Sequence, residues 1–382
     1  MRHPVALAGL LASLVAVPSI AAADTNDLAL NRLSYYENSG RGMPPYDFRF
    51  AGGCGTSDTG FATCQPDNHL FANLVNELGG VFAPPLLAPS RSLGFNGLYF
   101  GYENSVTGIN SSASAEYWRR GTVGNAPTDT MGNGTSRFRS TIPDQLFVSH
   151  FHIRKGFPYG FELGLHANWL HDSSMVTLGL DIRWALFEGF HSGIGYLPDL
   201  SVRGSVSTMV GNSQLYLTIV GVDAMIGKPV PIAGVVTITP YAGAQGLIIF
   251  GDSTVIDLSP TRSAYQECTR RQPDYANGSL GCLSGSGAPM VGENDSHNEQ
   301  VFTAMRILRV RGAAGLRFRF NMFTFSGEFM YDLLEPQRLA NNSDGTNPWA
   351  GQGRPDANGN RADLSMEYPH QWQVTFGAGL QF

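Results

Sequence analysis

The chain has 382 residues, 42% of them hydrophobic and 11% aromatic, with 46 glycines, 4 cysteines and a formal charge of −6. Its 25 Lys and Arg face 31 Asp and Glu and form no basic cluster, which excludes the electrostatic footprint of a nucleic-acid-binding protein. Beyond residue 23 no apolar run reaches the ~18 residues that a membrane helix needs. The longest candidate, "AGVVTITPYAGAQGLIIF", is interrupted by Pro240, threonines and glycines.

Residues 1–23 carry Arg2, an apolar run from Val5 to Val17 and small residues at Ala21 and Ala23. That order is a secretory signal peptide cut after Ala23, and the run is too short for a membrane anchor. In an exported chain Cys54, Cys64, Cys268 and Cys282 are expected to form disulfides, and the local pairs Cys54–Cys64 and Cys268–Cys282 are preferred.

Residues 24–91 form a separate N-terminal segment. Within it "DNHLFANLVNELGG" sets Leu70, Phe71, Leu74, Val75 and Leu78 on one helical stripe, closed by Gly79 and Gly80. Such an element either packs its own stripe on the periplasmic side or at a barrel mouth, or plugs a lumen.

From residue 92 onward the period changes to two. Strand-like segments fall near 92–103, 145–156, 159–171, 174–186, 199–210, 213–227, 234–251, 299–320, 322–334 and 368–382. In the clean ones, one face is apolar and the other carries charge. Phe161, Leu163, Leu165 and Trp169 oppose Glu162 and His166. Leu308, Val310, Leu316, Phe318 and Phe320 oppose Arg309, Arg311, Arg317 and Arg319. The faces of 92–103, 213–227 and 234–251 cannot be assigned, because both are apolar or small. A soluble sheet does not put Arg on its buried face in strand after strand, so the apolar face is the outer one. The fold expected is all-β: a closed transmembrane antiparallel barrel of about ten strands, 8 to 12 in range, over 92–382. "SASAEYWRRGT" (112–122) would add a hairpin strand if twelve are present. The long connections 104–144, 252–298 and 335–367 then all lie outside the cell, and the short turns lie in the periplasm.

The chain ends "QWQVTFGAGLQF", with Trp372, Val374, Phe376, Leu380 and Phe382 on one face. With the signal peptide and the alternation, this end resembles that of Gram-negative outer-membrane β-barrel proteins. There a terminal aromatic strand is the signal read by the barrel-insertion machinery. The resemblance implies outer-membrane lipid and lipopolysaccharide, periplasmic chaperones and that machinery as partners, a monomer, and no cofactor. The N-terminal hatch of long-chain fatty-acid channels is similar in position to 24–91, but its motif is not visible here.

The inward residues expected are His150, His152, Arg154, Glu162, His166, Asp181, Arg183, Arg203, Arg309, Arg311, Arg317, Arg319, Glu328 and Asp332. They make either an ion-pair network that stiffens the barrel or a narrow pathway for small anionic solutes. The function expected is a narrow porin-like channel or a structural surface protein, not an enzyme. Two alternatives are a loop-based adhesin or receptor, and a lipid-modifying hydrolase. The hydrolase would use His171 and Ser173, whose spacing is similar to that of outer-membrane acyl hydrolases. Asp356, Asn358, Asn360 and Glu367 have the spacing of a calcium loop, but Arg361 stands where that loop needs Gly.

The terminal strand yields the first test. Deleting Phe382, or Leu380→Arg, should lower the amount of heat-modifiable barrel in the outer membrane, read by electrophoresis of unboiled samples. Undiminished assembly of both variants would remove the terminal strand's assigned role.

Overall fold

A computed structural model of the chain describes residues 24–38, 46–47, 62–86, 90–112, 116–124, 142–188, 197–232, 235–258, 299–339 and 370–382. Residues 1–23, expected to be a signal peptide, lie outside these residues. Ten long strands follow in order: β1 (Leu98–Gly108), β2 (Gln145–Gly156), β3 (Phe161–Leu170), β4 (Val176–Phe187), β5 (Asp199–Val210), β6 (Leu215–Gly227), β7 (Val236–Ser253), β8 (Met305–Phe320), β9 (Phe323–Asp332) and β10 (Trp372–Gln381). Each pairs antiparallel with its neighbours in sequence, and β10 returns to β1 with Gln381 opposite Tyr99 and Gln373 opposite Thr107. Reciprocal hydrogen bonds between Leu98 and Phe382 seal the junction. Closure satisfies every ladder group between strands, the condition for crossing hydrocarbon with strands.

The pleat decides which face is which. Phe151, Leu165, Ile182, Phe325 and Phe376 are each more than half exposed, while their alternating partners point inward and are buried. Trp169 marks one end of this apolar band. Phe161 and Trp184, stacked at 5.4 Å, mark the other. Aromatic girdles of this kind flank the lipid-facing band of membrane barrels. On β10 the outward set is Trp372, Val374, Phe376, Leu380 and Phe382, the alternation read from the sequence.

The three longest connections share one end, with the short hairpins 171–175 and 211–214 beside them. Turns at 157–160 and 321–322 close one end, and the connections 109–144, 254–304 and 333–371 open from the other. Pro240 lies where β7 leaves β6, whose ladder stops at Gly227, and takes up the short strand Val230–Ile232, so its missing N–H breaks no run of pairing. β1 and β8 each begin six residues later than the sequence reading placed them, β8 at Met305 rather than 299, and one expected strand is of another type. β1 begins at Leu98 rather than 92, because Gly94 and Asn96 both adopt positive φ (79° and 63°) and turn the chain into the barrel. Within "SASAEYWRRGT" the residues Glu116–Gly121 are a short helix rather than an added strand, so the barrel has ten strands.

The N-terminal segment enters the barrel from the long-connection end. Its first described residues lie over the long-connection end, where Asn26 N–H donates to the Asp172 carbonyl (2.8 Å) and Leu28 bridges Thr122. A small sheet follows, Ser34–Asn38 between Tyr46–Asp47 and Ala62–Pro66. From there helix α1 (Asn68–Phe82) and the extended residues after it run down inside the barrel to the other end. The short helix Glu116–Gly121 is α2.

Candidate functional site

Two layers fill the lumen. In the layer nearest the long connections, inward residues are apolar: Leu146, Val148, Leu170, Leu217, Ile219, Leu247, Ile249 and Ile307 are all at most 2% exposed. They form a socket for α1, whose Leu70, Phe71, Leu74, Val75 and Leu78 are equally buried. Phe71 stacks on Phe302 at 4.6 Å. A helix buried on nearly all sides must satisfy its polar groups locally. Asp67 caps it by accepting from Leu70 N–H (3.2 Å). Glu77 accepts from Tyr117 Oη (3.0 Å), Asn110 N–H and Trp118 Nε1. Burial pushes the Glu77 carboxyl above the usual carboxylate range, and these donors pull it part of the way back. Gly79 and Gly80 do not end the helix. They lie where it meets the wall, and a Cβ on Gly80 would collide with Gln371 and Arg309.

Below α1 the wall becomes charged, and its charges face the main chain of the threaded segment. Arg309 Nη1 donates to Asn76 O (2.8 Å), and Arg311 Nη1 to Gly80 O (3.1 Å). Gln245 Nε2 reaches Pro84 O (3.0 Å). Arg183 Nη2 donates to Arg91 O (2.8 Å). In the opposite sense, Glu328 accepts from Leu86 N–H (2.9 Å), Glu162 from Leu93 N–H and Glu188 from Ser92 N–H (2.7 Å). The same groups pair with one another: Arg183 with Glu162 (2.9 Å), Arg203 with Asp223 (2.5 Å) and Arg309 with Asp332.

A third group occupies β1 to β4. His150 bonds Ser105 (2.7 Å) and Asn168 (2.8 Å). His152 Nδ1 lies 3.0 Å from Glu103 Oε2, and His166 Nδ1 lies 3.6 Å from Asp181 Oδ2. Arg154 and Arg317 face the Tyr99 ring at 4.4 and 5.2 Å.

The expected lumen residues thus fall inside with one exception. Arg319 is exposed, and its Nε donates to Asn321 O at the β8–β9 turn. That position is the last turn of the hairpin, beyond the point where the wall is covered. Asp332 lies opposite Arg311 and bonds Arg309, while Glu328 lies opposite Gly315. Sequence reasoning missed Glu103, Asp223, Gln245 and Glu77. The first three lie in strands whose two faces look alike in composition, and Glu77 sits on an apolar helix.

The other expected constellations fare differently. Ser173 Oγ donates to Leu170 O (2.8 Å) and accepts from Met175 N–H, an ordinary hairpin arrangement. His171 turns instead to the outer wall, with Nε2 2.8 Å from Ser149 Oγ. The pair His171 and Ser173 is therefore not assembled. Asp356, Asn358, Asn360 and Glu367 lie outside the described residues, as do Cys54, Cys268 and Cys282. The backbone of Cys64 pairs with Tyr36 in the small sheet, and Cys64 thus lies at the long-connection end.

A closed ten-strand barrel with an apolar outer band, aromatic girdles and a polar, plugged interior defines the class: this is a transmembrane β-barrel of the Gram-negative outer-membrane type. No family model matches the chain, and no curated protein does. Solved structures give fold-level neighbours. The outer membrane protein OprG of Pseudomonas aeruginosa is 12% identical over 77% of this chain and 99% of its own, with a TM-score of 0.27. The attachment invasion locus protein Ail of Yersinia pestis, in complex with the heparin analogue sucrose octasulfate, is 9% identical over 75% and 99%, with a TM-score of 0.24. OmpT, an outer membrane protein of Vibrio cholerae, is 7% identical over 75% and 100%, also at 0.24. With scores this low, the class rests on the strand pairing and the two faces described above.

Asp332 tests the energetics of the charged layer. Its Oδ2 accepts from Arg309 and from Gln371 N–H (2.8 Å), and both side chains are at most 1% exposed. Asp332→Ala strands a buried guanidinium and should destabilise the barrel by about 3–5 kcal/mol, read from denaturant unfolding in detergent. A loss below about 1 kcal/mol would mean that water reaches Arg309.

Proposed function

We propose that the protein is a narrow outer-membrane conduit in its closed state, shut by its own N-terminal segment. The observation that carries this reading is the set of bonds from the wall to the plug's main chain. Arg183, Arg309 and Arg311 each donate to a carbonyl of residues 76–91. A wall built only for rigidity would need its charges to answer each other; here they also hold a separable segment. Once that segment moves, the same guanidiniums line an open lumen and favour small anions. A loop-based adhesin would act through connections whose centres, 125–141, 259–298 and 340–369, lie outside the described residues.

The test leaves the wall untouched. Gly80→Leu forces a side chain between α1 and the wall at Arg309. In planar bilayers the unaltered protein should be almost silent, and the variant should conduct with anion preference. A Gly80→Leu barrel that is heat-modifiable yet silent would overturn the channel reading and favour the structural one.

A second reading, acyl hydrolysis at the outer wall, is carried by Ser149 rather than Ser173. Ser149 Oγ lies 2.8 Å from His171 Nε2 and 2.9 Å from Asn104 Oδ1, on the lipid-facing side near Trp169. A hydroxyl hydrogen-bonded to an imidazole is the start of a nucleophile. Against it, Ser149 is only 2% exposed, covered in part by Tyr102. If this reading holds, the purified protein cleaves phospholipid or lipopolysaccharide esters and Ser149→Ala abolishes the cleavage. A wild-type protein inert toward both lipids disposes of it.

A further inference from the structure

Two buried carboxylates of the lumen wall meet histidines rather than arginines. Glu162, Asp223 and Asp332 each meet a guanidinium within 4 Å. Glu103 and Asp181 do not: among the described residues their ion-pair partners are imidazoles, His152 and His166. All four side chains are at most 4% exposed. No guanidinium bonds either carboxylate directly, although Arg154 and Arg203 act on them through space.

The donors converge. His152 and His166 are directly opposite across β2 and β3, with ring centroids 5.3 Å apart at 73°. Asp181 on β4 lies opposite Gly164, and His166 lies opposite Gly179. At both glycines a Cβ would collide with the neighbouring side chain, Asp181 or His166, so the two absent side chains let the donors lean across their partner strands. One donor atom each from His152, His166 and Asp181 lies within 4.8 Å of the others. His152 Nε2, both ring nitrogens of His166 and Asp181 Oδ2 have no hydrogen-bond partner. Meanwhile His152 Nδ1 faces Glu103 at 3.0 Å, the carboxylate contact that fixes a ligating histidine's tautomer and frees its other nitrogen for a metal.

We propose that His152, His166 and Asp181 bind one divalent transition-metal ion in the lumen, zinc being the best match, with Glu103 orienting His152. Two imidazoles and a carboxylate are zinc's borderline donor set, and three protein ligands leave a fourth position for water or a small anion. Zinc bonds of ~2.1 Å place donors ~3.4 Å apart, so the ion draws these side chains together by about an ångström. The ion staples β2, β3 and β4 directly and β1 through Glu103, whether or not the lumen conducts.

Cobalt serves as the probe, because its visible absorption reports tetrahedral nitrogen and oxygen ligation. Full-length protein, refolded in detergent with cobalt and desalted, should retain one ion per barrel and show that absorption, and zinc should displace it. Asp181→Asn and His166→Ala should abolish retention, and Glu103→Gln should weaken it about 10–100-fold. His150→Ala, whose ring bonds Ser105 and Asn168, should leave it unchanged. Heat modifiability establishes that each variant is folded; Glu103→Gln, which preserves every metal ligand, decides the matter should the ligand variants not fold. A folded wild-type barrel retaining no cobalt, or cobalt held equally well by the wild type and Glu103→Gln, overturns the proposal.

Discussion

A main chain that runs through a barrel must hydrogen-bond within it. At residues 83–86 and 90–97 the N-terminal segment has left its helix and has no strand partner, yet it runs at membrane depth. Each N–H and C=O there needs an answer from the wall, because the alternative costs several kcal/mol per group. Arg183, Gln245, Glu162 and Glu328 supply those answers. This requirement explains a feature that looks wasteful in the sequence, long charged side chains facing inward on strand after strand. Arginine suits this role because its planar fork can bond a carboxylate and a carbonyl together, as Arg309 does with Asp332 and Asn76.

The apolar socket above this layer follows from the helix. Backbone groups inside α1 satisfy each other, so the wall around it has no polar work to do and can be Leu, Ile and Val. The boundary between the layers falls within the last two turns of the helix. Gly80 touches Arg309 there, while one residue earlier Gly79 touches Ile249. The register of plug against wall is thus fixed twice, by close approach at two glycines and by the switch from dispersion contacts to hydrogen bonds.

The same division governs what the sequence disclosed. β3, β4, β8 and β10 were legible because they face the charged layer or end in the turn region, so their two faces differ. β6 was not, because Leu215, Leu217 and Ile219 meet α1 on one side while Tyr216, Val220 and Val222 meet lipid on the other. Two apolar solvents, one of them the protein itself, erase the period-two signal. Glu103 and Asp223 were hidden in such stretches. The position of residues 24–38 was equally illegible. Nothing local reveals that Asn26 bonds Asp172, 146 positions away in a hairpin. Helix α1 was found from its stripe, but burial on all sides carried its apolar character past Gly80 to Phe82.

The two layers also hold the plug by forces that respond differently to water. Apolar burial in the socket is lost in proportion to the area exposed, and no solvent molecule can replace it. The bonds from Arg183 and Gln245 to carbonyls are exchangeable, since water can take the carbonyl while the guanidinium keeps its carboxylate, as Arg183 keeps Glu162. The extended residues after α1 can therefore yield to water more cheaply than α1 itself. Pro84 and Pro85 stand at the junction, where they stop the helix from propagating downward and leave two groups without N–H donors to satisfy. For the proposed conduit, opening from the short-turn end, with α1 still seated, is the lower path. Complete opening requires α1 to give up the contacts of Leu70, Phe71, Leu74 and Leu78 as well. The height of that second barrier, set by the socket and not by the charges, separates a gated conduit from a permanently closed barrel.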